Sequence, residues 1–307
     1  MFLIALSGGV AQAQSCTAEV TDGDFGTVDG LVGGAVNTTA TLSFSCTGLV
    51  PLVPVTLCPN IASGSGGGDG SGGRRLAGPG APLAFQIYRD AARTQPWGST
   101  SFLIFGDVPT ITATPGLNGK ITATRTLYAR ATVPTGATPG SYASAFSSQN
   151  FFWGLNLLTC GGVTVGFAIP PPTFTFRAEI SPACTVSATS LDFGAVGLLN
   201  SPVTAQNAVN VRCTSGTAYT LGLGPGLNGG GPTARRLAKG AERITYGIYK
   251  DSGFAQPWGE ASQGASAIWS GTGSGVVQSY TGYGRAPAQA TPTPGSYADT
   301  VVATITY

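Results

Sequence analysis

Six cysteines carry the most distinctive chemistry in this sequence: Cys16, Cys46, Cys58, Cys160, Cys184 and Cys213. Their even number favours disulfides formed in an oxidising compartment, although the spacing alone leaves the pairing open. No C-x-x-C pair occurs. Zinc ribbons and thioredoxin-like redox sites are therefore poor interpretations of these cysteines.

Other side chains that commonly perform catalysis are scarce. The chain contains no histidine, which removes the commonest general base and the commonest metal ligand. Its 13 Asp and Glu residues leave a secreted carbohydrate-active enzyme with paired carboxylates as the least excluded enzyme class. Because these acidic residues lie mostly in turn-like sequences, we expect no enzyme, no catalytic residue, no metal site and no cofactor.

The composition predicts an all-β protein. Only 9% of the 307 residues are charged, against about 25% in ordinary soluble domains, so a solvated helical surface is excluded. The 47 glycines and 21 prolines favour many short strands joined by turns. A net charge of +2 without a long Lys/Arg run argues against nucleic acid or an anionic membrane as a partner.

Residues 1–13 have the pattern of a signal peptide, because an apolar run ends in the small-x-small sequence Ala11-Gln12-Ala13. The segment is short and lacks a basic start, so we expect a late start codon or a truncated end. With about 10 apolar residues it cannot form a transmembrane segment. We therefore expect export of the remaining chain.

The chain repeats a set of motifs, which predicts two homologous domains, at residues 14–180 and 181–307. Asp24-Phe25-Gly26 returns 168 residues later as Asp192-Phe193-Gly194. Three motifs return 161 residues later: Arg74-Arg75-Leu76-Ala77 as Arg235-Arg236-Leu237-Ala238, Ile87-Tyr88-Arg89-Asp90 as Ile248-Tyr249-Lys250-Asp251, and Gln95-Pro96-Trp97-Gly98 as Gln256-Pro257-Trp258-Gly259. A Thr-Pro-Gly-Ser-Tyr-Ala motif at 138–143 returns at 293–298.

Alternating sequences within each repeat predict antiparallel strands. Residues 208–213 and 300–307 carry β-branched side chains at a period of two, as half-buried strands do. A tyrosine placed just after Pro-Gly at the head of the last strand is similar to the tyrosine corner of Ig-like folds. We therefore expect two Ig-like antiparallel β-sandwich domains.

In their order along the chain, the Cys-Thr, Asp-Phe-Gly, Arg-Leu-Ala, Pro-Trp-Gly and Pro-Gly-Ser-Tyr-Ala motifs resemble those of the spore coat protein U domain family. Residues 183–307 resemble one such domain over its whole length, and the N-terminal half resembles a more diverged copy. The resemblance implies pilin-like sandwiches in subunits of archaic chaperone-usher pili, exported through the periplasm to the cell surface. It also implies disulfides Cys16–Cys46 and Cys184–Cys213, which leave Cys58 and Cys160 for each other.

The same resemblance implies three partners: a periplasmic pilus chaperone, an outer-membrane usher and an adjacent pilin subunit that donates a strand. Only one strand follows the second Pro-Gly-Ser-Tyr motif, so we expect an incomplete C-terminal domain. Surplus sequence in the first domain, including residues 173–180, could close that domain in cis.

Two residues alone, Gln14 and Ser15, would precede Cys16 after cleavage, so we expect this subunit to donate no strand. An acceptor that cannot donate belongs at the tip of a fibre. We therefore predict a tip subunit, and the resemblance implies a tip adhesin whose N-terminal domain mediates surface attachment and biofilm formation. The alternative is a plain structural pilus or spore-coat-type subunit without ligand binding.

For the adhesive surface we consider apolar segments of the first repeat that have no clear counterpart in the second. They are Leu49-Val50-Pro51-Leu52-Val53, Phe102-Leu103-Ile104-Phe105 and Phe151-Phe152-Trp153. Apolar runs usually belong to a core. Alternatively, two or three of them form hydrophobic loop tips, and the proline-punctuated first segment is least like a central strand.

Two arginine pairs, Arg74-Arg75 and Arg235-Arg236, occur once in each repeat. An anion site is one interpretation of such a pair. We expect instead that they cap a strand edge or pair with Asp90 and Asp251.

Overall fold

A computed structural model describes residues 14–147, 151–156, 160 and 170–307, with side-chain burial undescribed for 151–156. The predicted signal peptide at 1–13 lies outside the described residues. Within the described part of the chain, regular structure consists of 19 strands and three short 3-10 turns. The all-β prediction is therefore confirmed.

The chain divides into two compact units. The N-terminal unit contains residues up to 28, 34–134 and 140–180, and the C-terminal unit contains 29–33, 135–139 and 181–307. The main division thus falls between Ile180 and Ser181.

Eleven strands belong to the N-terminal half of the described chain. They are β1 (Ser15–Val20), β2 (Gly23–Asp29), β3 (Gly34–Thr47), β4 (Val55–Ile61), β5 (Arg74–Leu76), β6 (Leu83–Tyr88), β7 (Ile111–Ala113), β8 (Ile121–Val133), β9 (Gly140–Phe146), β10 (Phe151–Asn156) and β11 (Phe174–Ser181). Three sheets result, with strand orders β1-β3-β8-β6-β5, β10-β4-β7 and β2-β11-β9. A 3-10 turn at Leu103–Phe105 lies between β6 and β7.

The core of the N-terminal unit is a cluster of phenylalanines. Phe176 of β11 is buried, and its ring centroid lies 6.1 Å from that of Phe25, 5.7 Å from Phe85 and 6.2 Å from Phe146. β11 alternates buried and less buried residues along its length, as a strand with one face on the core does. Burying each of its large apolar side chains contributes roughly 1.5–3 kcal/mol.

The C-terminal unit contains eight strands. They are β12 (Cys184–Ala188), β13 (Val203–Cys213), β14 (Ala218–Leu223), β15 (Arg235–Lys239), β16 (Glu242–Tyr249), β17 (Trp269–Thr272), β18 (Val277–Ala286) and β19 (Ala303–Thr306). Their sheets have the orders β12-β13-β18-β16-β15 and β17-β14-β19. The strand expected at 300–307 is thus shorter, because residues 300–302 and 307 lie outside β19.

The first arginine of each repeated pair is a buried structural group. Arg235 donates to the backbone oxygens of Gly224 (2.8 Å), Pro232 (2.7 Å), Leu223 (3.0 Å) and Trp258 (2.8 Å). Burial lowers the pKa of its guanidinium, and these carbonyl groups replace the water that burial removes.

Arg74 is likewise fully buried and donates to the oxygens of Ala62 (2.6 Å), Ile61 (2.6 Å) and Trp97 (2.8 Å). The expected pairing with Asp90 is wrong, because that carboxylate accepts from Thr94 and Gln95 in its own loop. Asp251 likewise accepts from the amides of Ala255 and Gln256.

Three disulfides link the six cysteines: Cys16–Cys46, Cys58–Cys160 and Cys184–Cys213. The first and third are the pairs that the family resemblance implied, and the second is the pair that those two leave. The first and third join residues directly opposite each other on paired antiparallel strands. The second closes a segment of 102 residues and ties β4 to the chain beyond β10.

Candidate functional site

The two units differ most at one position of their folds, which we call the closing-strand position. In the N-terminal unit it lies between β2 and β9 and is held by β11. β11 pairs with β9 in antiparallel register, from Phe174 opposite Phe146 to Ile180 opposite Gly140. Because β11 follows β9 in the same chain, the N-terminal unit is completed in cis.

At the same position the C-terminal unit has a groove. Residues 191–197 correspond to β2 and residues 295–301 to β9, and neither described segment forms a strand beyond an isolated bridge at Ala298. No strand of the described chain lies between them. The groove has a volume of about 530 Å³ and is lined by residues 191–197 and 291–297, with apolar floor residues Leu237, Ile244 and Ala286. We call this feature the C-terminal groove.

Matched residues of the two units differ in burial at this position. Val28 of β2 is 7% exposed, whereas its counterpart Val196 is 43% exposed. Phe25 is buried, whereas its counterpart Phe193 is only half-buried. Apolar side chains of the C-terminal groove are therefore exposed, and one further strand would cover them.

One wall of the C-terminal groove is held by Glu242, at the start of β16. Its carboxylate accepts hydrogen bonds from the Thr293 hydroxyl, the Thr293 amide (3.0 Å) and the Tyr297 hydroxyl (2.8 Å). These bonds, chiefly those from Thr293, lower the pKa of Glu242 to about 2. The carboxylate therefore stays charged, and anchors the wall, far below neutral pH.

The first predicted binding segment forms an exposed loop in the N-terminal unit. The amide of Leu49 donates to Gly119 (3.1 Å) and that of Leu52 to Pro115 (3.0 Å), so residues 49–53 and 115–119 lie side by side. We call them the paired loops. Val50, Leu52 and Val53 are exposed, and Leu52 is 63% exposed with a φ of 62°. Leu49 is buried, so its prediction as a loop-tip contact is wrong.

The second predicted segment lies at the other end of β4. Phe102 and the first two residues of the 3-10 turn, Leu103 and Ile104, are exposed. The nearby Thr100 amide donates to the side-chain oxygen of Asn60, near the end of β4 (2.7 Å). The paired loops adjoin Val55 at the start of β4, about 20 Å away along the strand. Phe105 is buried beneath the Arg74 guanidinium, which lies 5.0 Å from its ring, so its prediction as an exposed contact is wrong.

The third predicted segment is part of a strand. Phe151, Phe152 and Trp153 begin β10 and pair with Ile61, Asn60 and Pro59 of β4. Their prediction as a loop is therefore wrong, because aromatic residues have high strand propensity and β4 supplies a pairing edge. The burial of these side chains lies outside what the structure describes.

Two features of the site were missed by sequence reasoning. Leu117 is 81% exposed in the paired loops, and the signal for it is a leucine inside the turn sequence Pro-Gly-Leu-Asn-Gly. The walls of the C-terminal groove were also missed, although residues 191–197 and 291–297 contain the repeated motifs.

Comparison with protein-family models matches the Spore Coat Protein U domain to residues 2–147 and again to residues 172–304. The chain belongs to the spore coat protein U domain family. Each unit thus corresponds to one copy of this domain, and β11 begins within the span of the second match. A search of curated proteins finds no similar sequence.

The fold of this spore coat protein U chain is shared with a solved pilus protein. A chain of the CsuC-CsuE chaperone-tip adhesion subunit pre-assembly complex, from archaic chaperone-usher Csu pili of Acinetobacter baumannii, matches with a TM-score of 0.50 and 16% identity. The match covers 95% of this chain and 100% of that one. The CupB6 tip adhesin from Pseudomonas aeruginosa is also similar, with a TM-score of 0.41, 12% identity and coverage of 94% and 93%.

Two searches of the described residues concern other kinds of site. No group of three or more His, Cys, Asp or Glu side chains in that part of the chain could hold a metal ion. No helix within it has the length and apolarity required to cross a membrane.

Proposed function

We propose that this protein is the tip adhesin of an archaic chaperone-usher pilus, exported through the periplasm to the cell surface. Its C-terminal unit accepts a strand from the periplasmic chaperone and then from the adjacent pilin subunit at the outer-membrane usher. Its N-terminal unit attaches to surfaces and supports biofilm formation. The observation that carries the proposal is the closing-strand position, filled by β11 in one unit and open in the other.

The chemistry of the C-terminal groove supports strand acceptance. Its lining includes the apolar residues Leu237, Ile244 and Ala286, and its walls at 191–197 and 291–297 belong to no strand. An added strand would satisfy backbone N–H and C=O groups along both walls while burying alternate side chains. β11 makes these two kinds of contact in the N-terminal unit.

The acceptor role is tested by extending the full chain beyond Tyr307 with a Gly/Ser linker and an alternating Thr-Val strand. The extension should raise the melting temperature of the C-terminal unit by roughly 5–15 °C, because the valines bury apolar area in the groove. The matched control replaces each valine of the extension by serine. Equal melting of the two extended proteins would contradict the acceptor role.

The adhesive role is supported by the paired loops. β3 runs from Gly34 to Thr47. Its Gly34 end lies near Ile180, where the chain leaves the unit. Gly34 lies opposite Val133 of β8, and the strand pairings continue from β8 through β6 toward β9. The paired loops, beyond Thr47, therefore lie at the end of the unit opposite Ile180. Exposed apolar side chains at that end suit contact with a hydrophobic surface.

Attachment of piliated cells to a hydrophobic surface tests this role with the variant Leu52→Ser/Val53→Ser. We expect attachment to fall several-fold, with stability changed by no more than about 0.5 kcal/mol per exposed site. Leu227→Ser, at an exposed leucine of the C-terminal unit, is the matched control and should attach normally. Undiminished attachment by the double variant would favour the plain structural subunit.

A further inference from the structure

We propose that Leu191 and Asp192 select the strand that the C-terminal groove accepts. The selected strand carries an apolar residue smaller than phenylalanine where it meets Leu191, followed by a basic residue that pairs with Asp192. This inference rests on the proposed acceptor function and identifies the chemistry of the partner segment.

The N-terminal unit shows the contacts that these two positions make. Gly23 and Asp24 of β2 face Phe176 and Arg177 of β11. A Cβ atom on Gly23 would lie 2.1 Å from the Phe176 ring, so the phenylalanine requires a glycine there. The Arg177 Nε lies 2.9 Å from an Asp24 carboxylate oxygen. Two hydrogen bonds lower the pKa of Asp24. The larger effect comes from the Gly26 amide and the next from Arg177.

The C-terminal unit keeps the aspartate and changes the glycine. Counting from Cys16 and Cys184, Leu191 stands at the Gly23 position and Asp192 at the Asp24 position, with no gap. Both residues line the C-terminal groove. A phenylalanine placed as Phe176 is would therefore overlap Leu191, which favours a smaller apolar residue.

Asp192 is prepared for a basic partner in the same way as Asp24. One of its oxygens accepts from the Gly194 amide at 2.8 Å, as Asp24 accepts from Gly26 at 2.8 Å. In the described part of the chain no Lys or Arg forms an ion pair with Asp192. A strand with arginine or lysine at the Arg177 position would supply that partner.

This arrangement disfavours one occupant of the C-terminal groove, the β11 strand of a second copy of this protein. The β11 strand of a second copy has the arginine, but its Phe176 meets Leu191 in place of a glycine. Exchange of β11 between copies of this protein is thereby disfavoured, and the groove stays open for a different strand.

Binding of synthetic peptides to the full chain tests the proposal, with fluorescence anisotropy as the measurement. The first peptide has the sequence of residues 172–182, the second carries Phe176→Val, and the third carries Phe176→Val with Arg177→Glu. The second should bind about ten-fold more tightly than the first. It should bind up to about five-fold more tightly than the third.

Protein variants assign these preferences to the two residues. Leu191→Gly should remove the preference for valine over phenylalanine, whereas Leu198→Gly, at an exposed leucine of the same segment, should preserve it. Asp192→Asn keeps an acceptor for the Gly194 amide and should remove the preference for arginine over glutamate.

Equal affinity of the unsubstituted chain for the first and second peptides, or for the second and third, would overturn the corresponding half of the proposal. If no peptide binds while the Thr-Val extension stabilises the C-terminal unit, the selection is wrong and the acceptor role stands. If neither the peptides nor the extension has an effect, both are wrong.

Discussion

At the scale of single residues, Leu52 shows a conflict between conformation and residue type. Its φ of 62° lies in the left-handed region, which costs an L-residue other than Asn or Asp roughly 1–2 kcal/mol. Its side chain is nevertheless exposed, so it recovers little of that cost by packing. Leu52 is therefore a candidate contact residue for the proposed attachment to surfaces.

Replacement of Leu52 by asparagine, Leu52→Asn, should therefore stabilise the N-terminal unit by up to about 1 kcal/mol, because asparagine tolerates the left-handed conformation. Attachment to a hydrophobic surface should fall at the same time. Thermal unfolding and an attachment assay measure the two effects. Leu117→Asn, at an exposed leucine without the positive φ, should reduce attachment without the gain in stability. A loss of stability in Leu52→Asn would disprove the strain argument.

At the scale of elements, the wall of the C-terminal groove depends on charge instead of strand pairing. Residues 291–297 lie outside any strand and are held to β16 by Glu242. The residue of the N-terminal unit that corresponds to Glu242 is Ala81. In that unit β9 is held by its pairing with β11. The carboxylate thus replaces part of the support that a neighbouring strand gives.

The pH dependence of this wall follows from the pKa of Glu242. Its folded value of about 2 lies below an ordinary glutamate value of about 4.3. Stabilisation by the carboxylate is therefore complete above about pH 4.3 and is lost as the pH falls through about 2. A carbon NMR titration of the Glu242 carboxyl should show this midpoint, and Thr293→Val should raise it. A midpoint above 4 in the unsubstituted protein would contradict the assignment.

At the scale of the whole molecule, two copies of one domain have taken different structural roles. The N-terminal unit has its closing strand in cis and a disulfide, Cys58–Cys160, that the other copy lacks. The C-terminal unit has the open groove. A completed unit suits the proposed attachment, and an open unit suits the proposed assembly.

Removal of the extra disulfide should distinguish the units. Cys58→Ser/Cys160→Ser should destabilise the N-terminal unit by about 3–5 kcal/mol, because the bridge closes a long segment of the unfolded chain. Calorimetry should show one transition lowered and the other unchanged. Cys184→Ser/Cys213→Ser, which opens the bridge of the other unit, should lower the second transition instead. A single transition that shifts equally in both variants would contradict independent unfolding of the two units.

The sequence by itself determined the all-β class, the two repeated domains and the family, because these depend on local properties. Glycine and proline set the turns, β-branched residues at a period of two set the strands, and motifs such as Asp-Phe-Gly and Pro-Trp-Gly recur intact. The sequence also showed surplus residues after the first Pro-Gly-Ser-Tyr motif that could close the first domain, and the structure shows that Phe174–Ser181 is the segment that does so.

Tertiary structure alone decided which apolar residues are exposed and where the groove lies. Leu49 and Phe105 resemble their exposed neighbours in sequence, yet both are buried, because burial depends on strands and loops far away along the chain. Asp192 and Asp24 lie in the same motif, yet only Asp24 has an arginine beside it. That difference arises from a strand in which Arg177 lies 153 residues beyond Asp24, so the Asp-Phe-Gly motif itself does not show whether an arginine lies beside it.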